Sequence, residues 1–186
     1  MTTLSKPVHL VLMLTNFSPY HLARLTAPQR LGEPQYCRVL GLELAGAEQI
    51  YPWGGNARID KVTLFPDQPF EGVSPSAYVR LTWQVLHHVK PDVLAICSYD
   101  HPAMLSALAW AKIRRKLFIL MSKSGADDQA RQAWMEGLQR FLAREFDAAL
   151  VGGWPHMKYA VSLGIPAERV FVGYDVVDNN HFARPQ

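Results

Sequence analysis

Four of the seven histidines, His21, His101, His156 and His181, fall in segments that directly follow short apolar runs. Those segments are Thr15–His21 (TNFSPYH), Ser98–His101 (SYDH), Gly152–His156 (GGWPH) and Gly173–His181 (GYDVVDNNH). A fifth, Ser122–Asp128 (SKSGADD), has the same character without a histidine. They are rich in small, hydroxyl and amide side chains, which can hydrogen-bond a polyol or a phosphate. Taken singly, a residue of this kind is more often a cap or turn residue than a ligand contact. Gly152-Gly153 lets backbone approach a phosphate or sugar at a helix start, or simply makes a tight turn. Asp127-Asp128 can hold a cation or substrate hydroxyls, or cap the helix that follows.

Several chemistries lack their residues. A dinucleotide site needs G-x-G-x-x-G after the first strand, and Thr15–His21 contains no glycine. No G-x-x-x-x-G-K-[ST] occurs anywhere. Cys97 and His101 have no second ligand pair at a fixed spacing, so no metal centre is expected. Ser98, Asp100 and His101 are residue types of a hydrolase triad, but no G-x-S-x-G surrounds the serine.

The elements that must position these loops alternate regularly. Val8–Leu14 is a nearly continuous apolar run, as in a strand covered on both faces. Further strands are expected at Arg38–Leu44, Arg58–Phe65, Val93–Cys97, Leu117–Met121, Ala148–Val151 and Val170–Val172. Helices are expected at Tyr20–Arg30, Ser76–Val89, Pro102–Arg115, Gln129–Phe146 and Pro155–Leu163. Tyr78, Leu81, Val85, Leu86 and Val89 recur at helical steps on the second. Trp134, Leu138, Phe141, Leu142 and Phe146 give the fourth its apolar face. Pro66–Pro75, with three prolines and a glycine, reads as a loop. This order predicts a single Rossmann-like α/β domain of three layers. Its sheet has about seven mainly parallel strands with helices on both faces. Ligands of such sheets bind beyond the carboxyl ends of the strands, where the five loops lie.

The chain has 186 residues, about one domain's worth, and 49% are hydrophobic against 19% charged. A packed core is within reach, and a disordered chain is excluded. The net charge of +3 does not point to a nucleic-acid binder. Lys112, Arg114, Arg115 and Lys116 suit a solvated helix C-terminus, with a membrane-facing patch as the other reading. No apolar run reaches the roughly 18–20 residues of a membrane span. Cys37 and Cys97 form no disulfide framework, which fits a reducing compartment such as the cytoplasm.

Three C-terminal segments form a more specific pattern: Phe146–His156 (FDAALVGGWPH), Leu163–Val172 (LGIPAERVFV) and Gly173–Phe182 (GYDVVDNNHF). Together they resemble glycosyltransferases of the GT-B fold, family 4. In that family the last strand of the N-terminal domain leads into N-G-V-D-x-x-x-F. Val177, Asp178 and Phe182 match, whereas Asp175 and Val176 stand in place of Asn and Gly. Asn16–Arg24 (NFSPYHLAR) and Leu120–Asp128 (LMSKSGADD) resemble the first and fifth strand-end loops of one branch of the family.

The resemblance implies an N-terminal, acceptor-binding domain over residues 1–173, with 174–186 starting the linker to a C-terminal donor-binding domain. It implies a retaining transfer of sugar from a nucleotide-sugar donor to a glycan, a lipid-linked or a small-molecule acceptor. It calls for no metal or other cofactor. Asn16, Tyr20, His21 and Arg24 are implied near the acceptor and the donor phosphates. Tyr99 and His101 are implied near the transferred sugar, with His101 as the catalytic imidazole. Ser122, Ser124, Asp128, Gly152, Gly153 and His156 complete the rim. The implied partners are the donor-binding domain and the acceptor. A homodimer and a peripheral membrane contact are further options, and nucleic acid is not a partner. The E-x₇-E signature of the donor domain is absent from these residues, so the chain alone is expected to be inactive. The alternative reading is a non-catalytic Rossmann-like module that pairs with a separate chain or with itself. A stand-alone nucleotide- or flavin-binding protein is the most distant.

Overall fold

Strands that are apolar on both sides need cover on both sides, and the fold follows from that demand. The computed structural model describes residues 6–31, 35–47, 59–125 and 133–176. Seven strands form one sheet: β1 Val8–Leu14, β2 Cys37–Ala47, β3 Lys61–Pro69, β4 Val93–Ile96, β5 Leu117–Ser122, β6 Ala148–Val151 and β7 Val170–Val172. Their order is β3-β2-β1-β4-β5-β6-β7, and every pairing is parallel. The helices are α1 Pro19–Leu31, α2 Pro75–Val89, α3 Pro102–Ile113, α4 Ala133–Ala143 and α5 Trp154–Ser162. The expected α/β fold and its parallel sheet are therefore present.

Local chemistry starts and stops these helices. The Ser74 hydroxyl accepts the Ala77 N–H and Pro75 opens α2, where its missing N–H costs nothing. Lys90 then ends α2 in the left-handed region at φ 51°. Pro102 opens α3 in the same way. Gly164 follows α5 with φ 109°, a conformation that glycine adopts without a Cβ penalty.

The two faces of the sheet are covered unequally. One packs Leu94, Ile96, Phe118, Leu120, Ala149 and Val151 under helices that contribute Tyr78, Leu86, Met104 and Trp110. The other packs Leu12, Leu14, Ala95 and Met121, with α1 contributing Leu25. Among the described residues α1 is the one helix on that second face.

Two sequence expectations need correction. Pro66–Pro69 is not loop but the end of β3, followed by a 3₁₀ turn at Phe70–Gly72. An edge strand tolerates prolines because its outer N–H groups have no ladder partner. Leu138 and Phe141 of α4 do not face the core but are exposed, while Leu142, Ala143 and Phe146 pack inward. The basic run at the end of α3 is solvated as expected, with Lys112, Arg114 and Arg115 exposed, and it forms surface contacts. Lys112 meets Glu145 at 3.2 Å and Lys116 meets Asp92 at 3.0 Å. Arg114 contacts the His87 ring. Residues 129–132 of the fourth expected helix lie outside the described residues.

Candidate functional site

The strand order reverses beside β1. The chain runs outward from β1 to β2 and β3, then returns to place β4 on the other side of β1. Crevices of parallel sheets open at such a switch point, beyond the carboxyl ends of the strands. Here the two flanking loops are Thr15–Ser18 and Cys97–His101. The remaining strand ends continue the same edge with Lys123–Gly125, Gly152-Gly153 and Gly173–Val176.

The first loop is held by a carboxylate that sequence reading overlooked. Glu43, on β2, is 1% exposed. Its Oε1 accepts the Phe17 N–H at 2.6 Å. Its Oε2 accepts from Lys61 Nζ at 2.6 Å and Thr63 Oγ1 at 2.8 Å. All these donors are fixed by β2, β3 and the core, so the loop is set before any ligand arrives. The signal was a lone acid in an otherwise apolar strand, GLELAG.

Asn16 is buried, and its Nδ2 reaches the Ala45 carbonyl at a long 3.4 Å. His21 lies 3.0 Å from the Asn16 carbonyl through Nδ1. A carbonyl only accepts, so Nδ1 carries the proton and Nε2 keeps its lone pair. Burial, the largest influence, pushes the imidazole below its ordinary 6.5, and Arg24 and Lys123 push the same way. His21 is thus neutral at pH 7 and offers a hydrogen-bond acceptor.

His101 has the opposite tautomer. Its Nδ1 accepts the Ala103 N–H at 3.2 Å, which makes it the N-cap of α3. Nε2 therefore carries the proton when the ring is neutral. The ring packs 4.9 Å from Phe70 and 5.1 Å from Tyr78, and burial lowers its pKa as well. It is anchored as a structural cap, with one N–H remaining for a ligand. Beside it, Ser98 Oγ donates to Asp100 at 2.5 Å. Tyr99 stands 6.1 Å from Phe146, and burial raises its phenol to about 12.

These two imidazoles make stability depend on pH. Below pH 6.5 the unfolded chain binds protons at both that the folded chain resists, so stability falls as pH drops. His101→Asn keeps a capping acceptor and removes one titration. The urea midpoint of the wild type is expected to fall between pH 7.5 and 5.5, and that of His101→Asn to fall less. Equal falls would show that His101 does not contribute.

The other rim residues are joined by backbone. The Ser122 carbonyl accepts the Gly152 N–H at 3.2 Å, and the Ser124 N–H donates to Ser122 Oγ at 3.0 Å. His156 is in the first turn of α5, where its buried Nδ1 finds no hydrogen-bond partner among the described residues. A Cβ at Gly152 would lie 3.1 Å from that nitrogen. Gly173 and Tyr174 donate to the Val151 carbonyl at 2.9 and 3.0 Å. Arg24 then reaches across from α1. It donates to Asp175 at 3.0 Å and to the Val176 carbonyl at 3.3 Å, and lies 4.3 Å from the centre of the Tyr174 ring. Tyr174 is a site-edge residue that sequence reading did not single out, and Asp175 was read there only as a departure from the motif, not as a site residue.

The structure thus brings Asn16, His21 and Arg24 together on one side, and Ser122, Ser124, Gly152, Gly153 and His156 on the other. Tyr20 is exposed on the first turn of α1. Tyr99 and His101 follow β4 between the two groups, with His101 turned toward Phe70 and Tyr78. Asp128, His181 and the matching Val177, Asp178 and Phe182 lie outside the described residues. Among the described residues no three His, Cys, Asp or Glu side chains converge as metal ligands, and no helix is long and apolar enough to cross a membrane. The rim offers neutral donors, neutral acceptors and helix N-termini, a set suited to hydroxyls and phosphate.

Solved structures share this fold. The UDP-GlcNAc 2-epimerase from Methanocaldococcus jannaschii matches with a TM-score of 0.57 at 14% identity, over 89% of this chain and 45% of its own. The lipopolysaccharide outer core galactosyltransferase WaaB matches with 0.55 at 13% identity, over 88% of this chain and 44% of its own. Acinetobacter baumannii MurG matches with 0.53 at 13% identity, over 97% and 49%. This chain therefore spans about half the length of these GT-B fold proteins. No protein-family model and no curated protein matches it.

Proposed function

We propose that this chain is the acceptor-binding half of a GT-B glycosyltransferase. The full enzyme would move a sugar, with retention, from a nucleotide-sugar donor to a glycan, a lipid-linked or a small-molecule acceptor. The carrying observation is the strand-end edge. A seven-stranded parallel sheet of the GT-B type gathers two neutral imidazoles of opposite tautomer, several hydroxyls and a glycine pair on one side. The family-4 resemblance of Phe146–Phe182 supports the glycosyltransferase assignment over an epimerase. On this reading His21 accepts a hydrogen bond from an acceptor hydroxyl. The His101 Nε2–H orients the transferred sugar and stabilises developing charge. Asn16, Tyr20, Arg24, Tyr99, Ser122, Ser124, Asp128, Gly152, Gly153 and His156 line the rest. No cofactor enters this scheme. The donor phosphates belong mainly to a second domain, and a cytoplasmic setting with an acceptor at the membrane surface is compatible.

The chain alone is expected to turn over no nucleotide sugar while binding saccharides on a glycan array. His21→Ala should weaken that binding at least fivefold. Turnover by the purified chain would overturn the half-enzyme assignment. A second reading, a non-catalytic module that pairs with another chain or with itself, is favoured by one observation: among the described residues α1 is the one helix on its side of the sheet, and Phe171 of β7 stands exposed there.

A further inference from the structure

Every helix of this fold hands the chain to the start of a strand, so the helix C-termini gather at the edge opposite the strand-end loops. Two of them end unusually. Among the described residues the backbone is left-handed at two non-glycine positions, Lys90 after α2 and Arg115 after α3, at φ 51° and 53°. After α5 a glycine, Gly164, takes the positive φ. Glycine is unstrained there, whereas a side chain crowds the following carbonyl oxygen. Both cations are exposed, and among the described residues neither forms an ion pair. A helix dipole welcomes a cation in the last turn, but it does not call for one where glycine fits best. The two turns lie side by side, because β4 and β5 are neighbours with Val93 aligned to Leu117. The carboxylates beside them are already engaged. Asp92 takes Lys116 at 3.0 Å and Lys6 at 3.8 Å, and Asp147 takes the Phe118 N–H at 2.8 Å. Two aliphatic side chains bracket the second turn: Ile113 is 69% exposed and Leu117 56%.

We infer that this edge is a contact surface for an anionic lipid bilayer. The unpaired Lys90 ammonium and Arg115 guanidinium meet lipid phosphates, and Ile113 and Leu117 enter the boundary between headgroups and acyl chains. Peripheral binding combines these two contributions, attraction to anionic lipid and burial of apolar surface. The aliphatic pair decides the kind of partner. On a nucleic acid neither side chain gains a stacking contact, and Ile113–Leu117 (IRRKL) has no aromatic residue to supply one. Among acyl chains both leave water. The arginine and lysine stems lie along the same apolar boundary while their charges stay in the headgroup layer. The strand-end loops then open away from the bilayer, roughly 20 Å from the headgroups, the length of the seven-residue β1. A lipid-linked acceptor reaches them only through an extended glycan. The contact surface itself does not depend on the glycosyl-transfer reading.

Co-sedimentation of the full chain with vesicles tests it. The chain is expected to bind phosphatidylcholine vesicles that carry about one-quarter phosphatidylglycerol. Binding should be weaker to phosphatidylcholine alone and should fall as salt rises. Arg115→Gly removes the cation and suits the backbone. It is expected to weaken binding about fivefold, while the urea midpoint holds or rises. Ile113→Ser should weaken binding too, and circular dichroism checks that both variants are folded. Lys123→Gln, which removes an exposed cation at the opposite edge, should leave binding unchanged. No binding to either vesicle, or equal binding to both, would overturn the inference. So would an equal loss with Lys123→Gln, no loss with Arg115→Gly or Ile113→Ser, or a preference for duplex DNA over vesicles at the same salt.

Discussion

Glu43→Ala is expected to cost about 3 kcal/mol of stability and to release the Asn16–Ser18 loop. The carboxylate satisfies three donors, the Phe17 N–H, Lys61 Nζ and Thr63 Oγ1, from a position sealed from water. Truncation leaves the backbone N–H unpaired and strands an ammonium. Breaking such a buried pair costs roughly 3–5 kcal/mol. The Lys61 side chain remains 22% exposed and can turn to water, which sets the expectation at the lower end. Glu43→Gln should cost less, because its carbonyl still accepts the Phe17 N–H. Urea unfolding measures both variants, and amide exchange at Phe17 and Ser18 reports the loop. Unchanged exchange there would show that Glu43 does not position it.

Gly46→Ala is expected to cost about 2–3 kcal/mol, as overpacking against fixed backbone does. A Cβ at Gly46 would sit 2.3 Å from the Pro66 carbonyl oxygen and 3.1 Å from its carbon. The obstacle is main chain, so no rotamer change relieves it. The pairing register also shifts here, where Ala45 aligns with Phe65 and Ala47 with Pro69. One residue on β2 therefore faces three on β3, and the bulge pushes Pro66 toward its neighbour. Glycine is what permits the approach. A loss below 0.5 kcal/mol on urea unfolding would mean that β3 moves aside freely.

The same bulge explains where sequence reading stopped short. The central strands were legible because burial on both faces writes itself as an unbroken apolar run. Val8–Leu14 and Ala148–Val151 carry the expected limits, and so does the edge strand Val170–Val172, although Phe171 and Val172 are exposed. Pro66 and Pro69 hid the end of β3, since proline marks a loop everywhere except at an edge or a bulge. At the site, loop positions could be read from the β-α order. Side-chain direction could not, because it depends on rotamers and neighbours. His101 follows β4 as expected, yet its Nδ1 turns back to cap α3. Glu43 gave only a charge in an apolar strand, and its three donors come from residues 18 to 26 positions away. Phe171 was equally hidden: it looks like a buried-strand residue in sequence, yet it stands exposed on the edge strand β7.

The most direct test of the acceptor-half assignment is a heteronuclear NMR titration of the chain with a panel of acceptor saccharides, and separately with UDP. Saccharides are expected to shift amides of residues 15–24, 97–101, 122–125, 152–156 and 173–176, the strand-end edge, while UDP alone shifts few of them. Tight UDP binding at that edge, or saccharide shifts confined to the opposite ends of the strands, would contradict it.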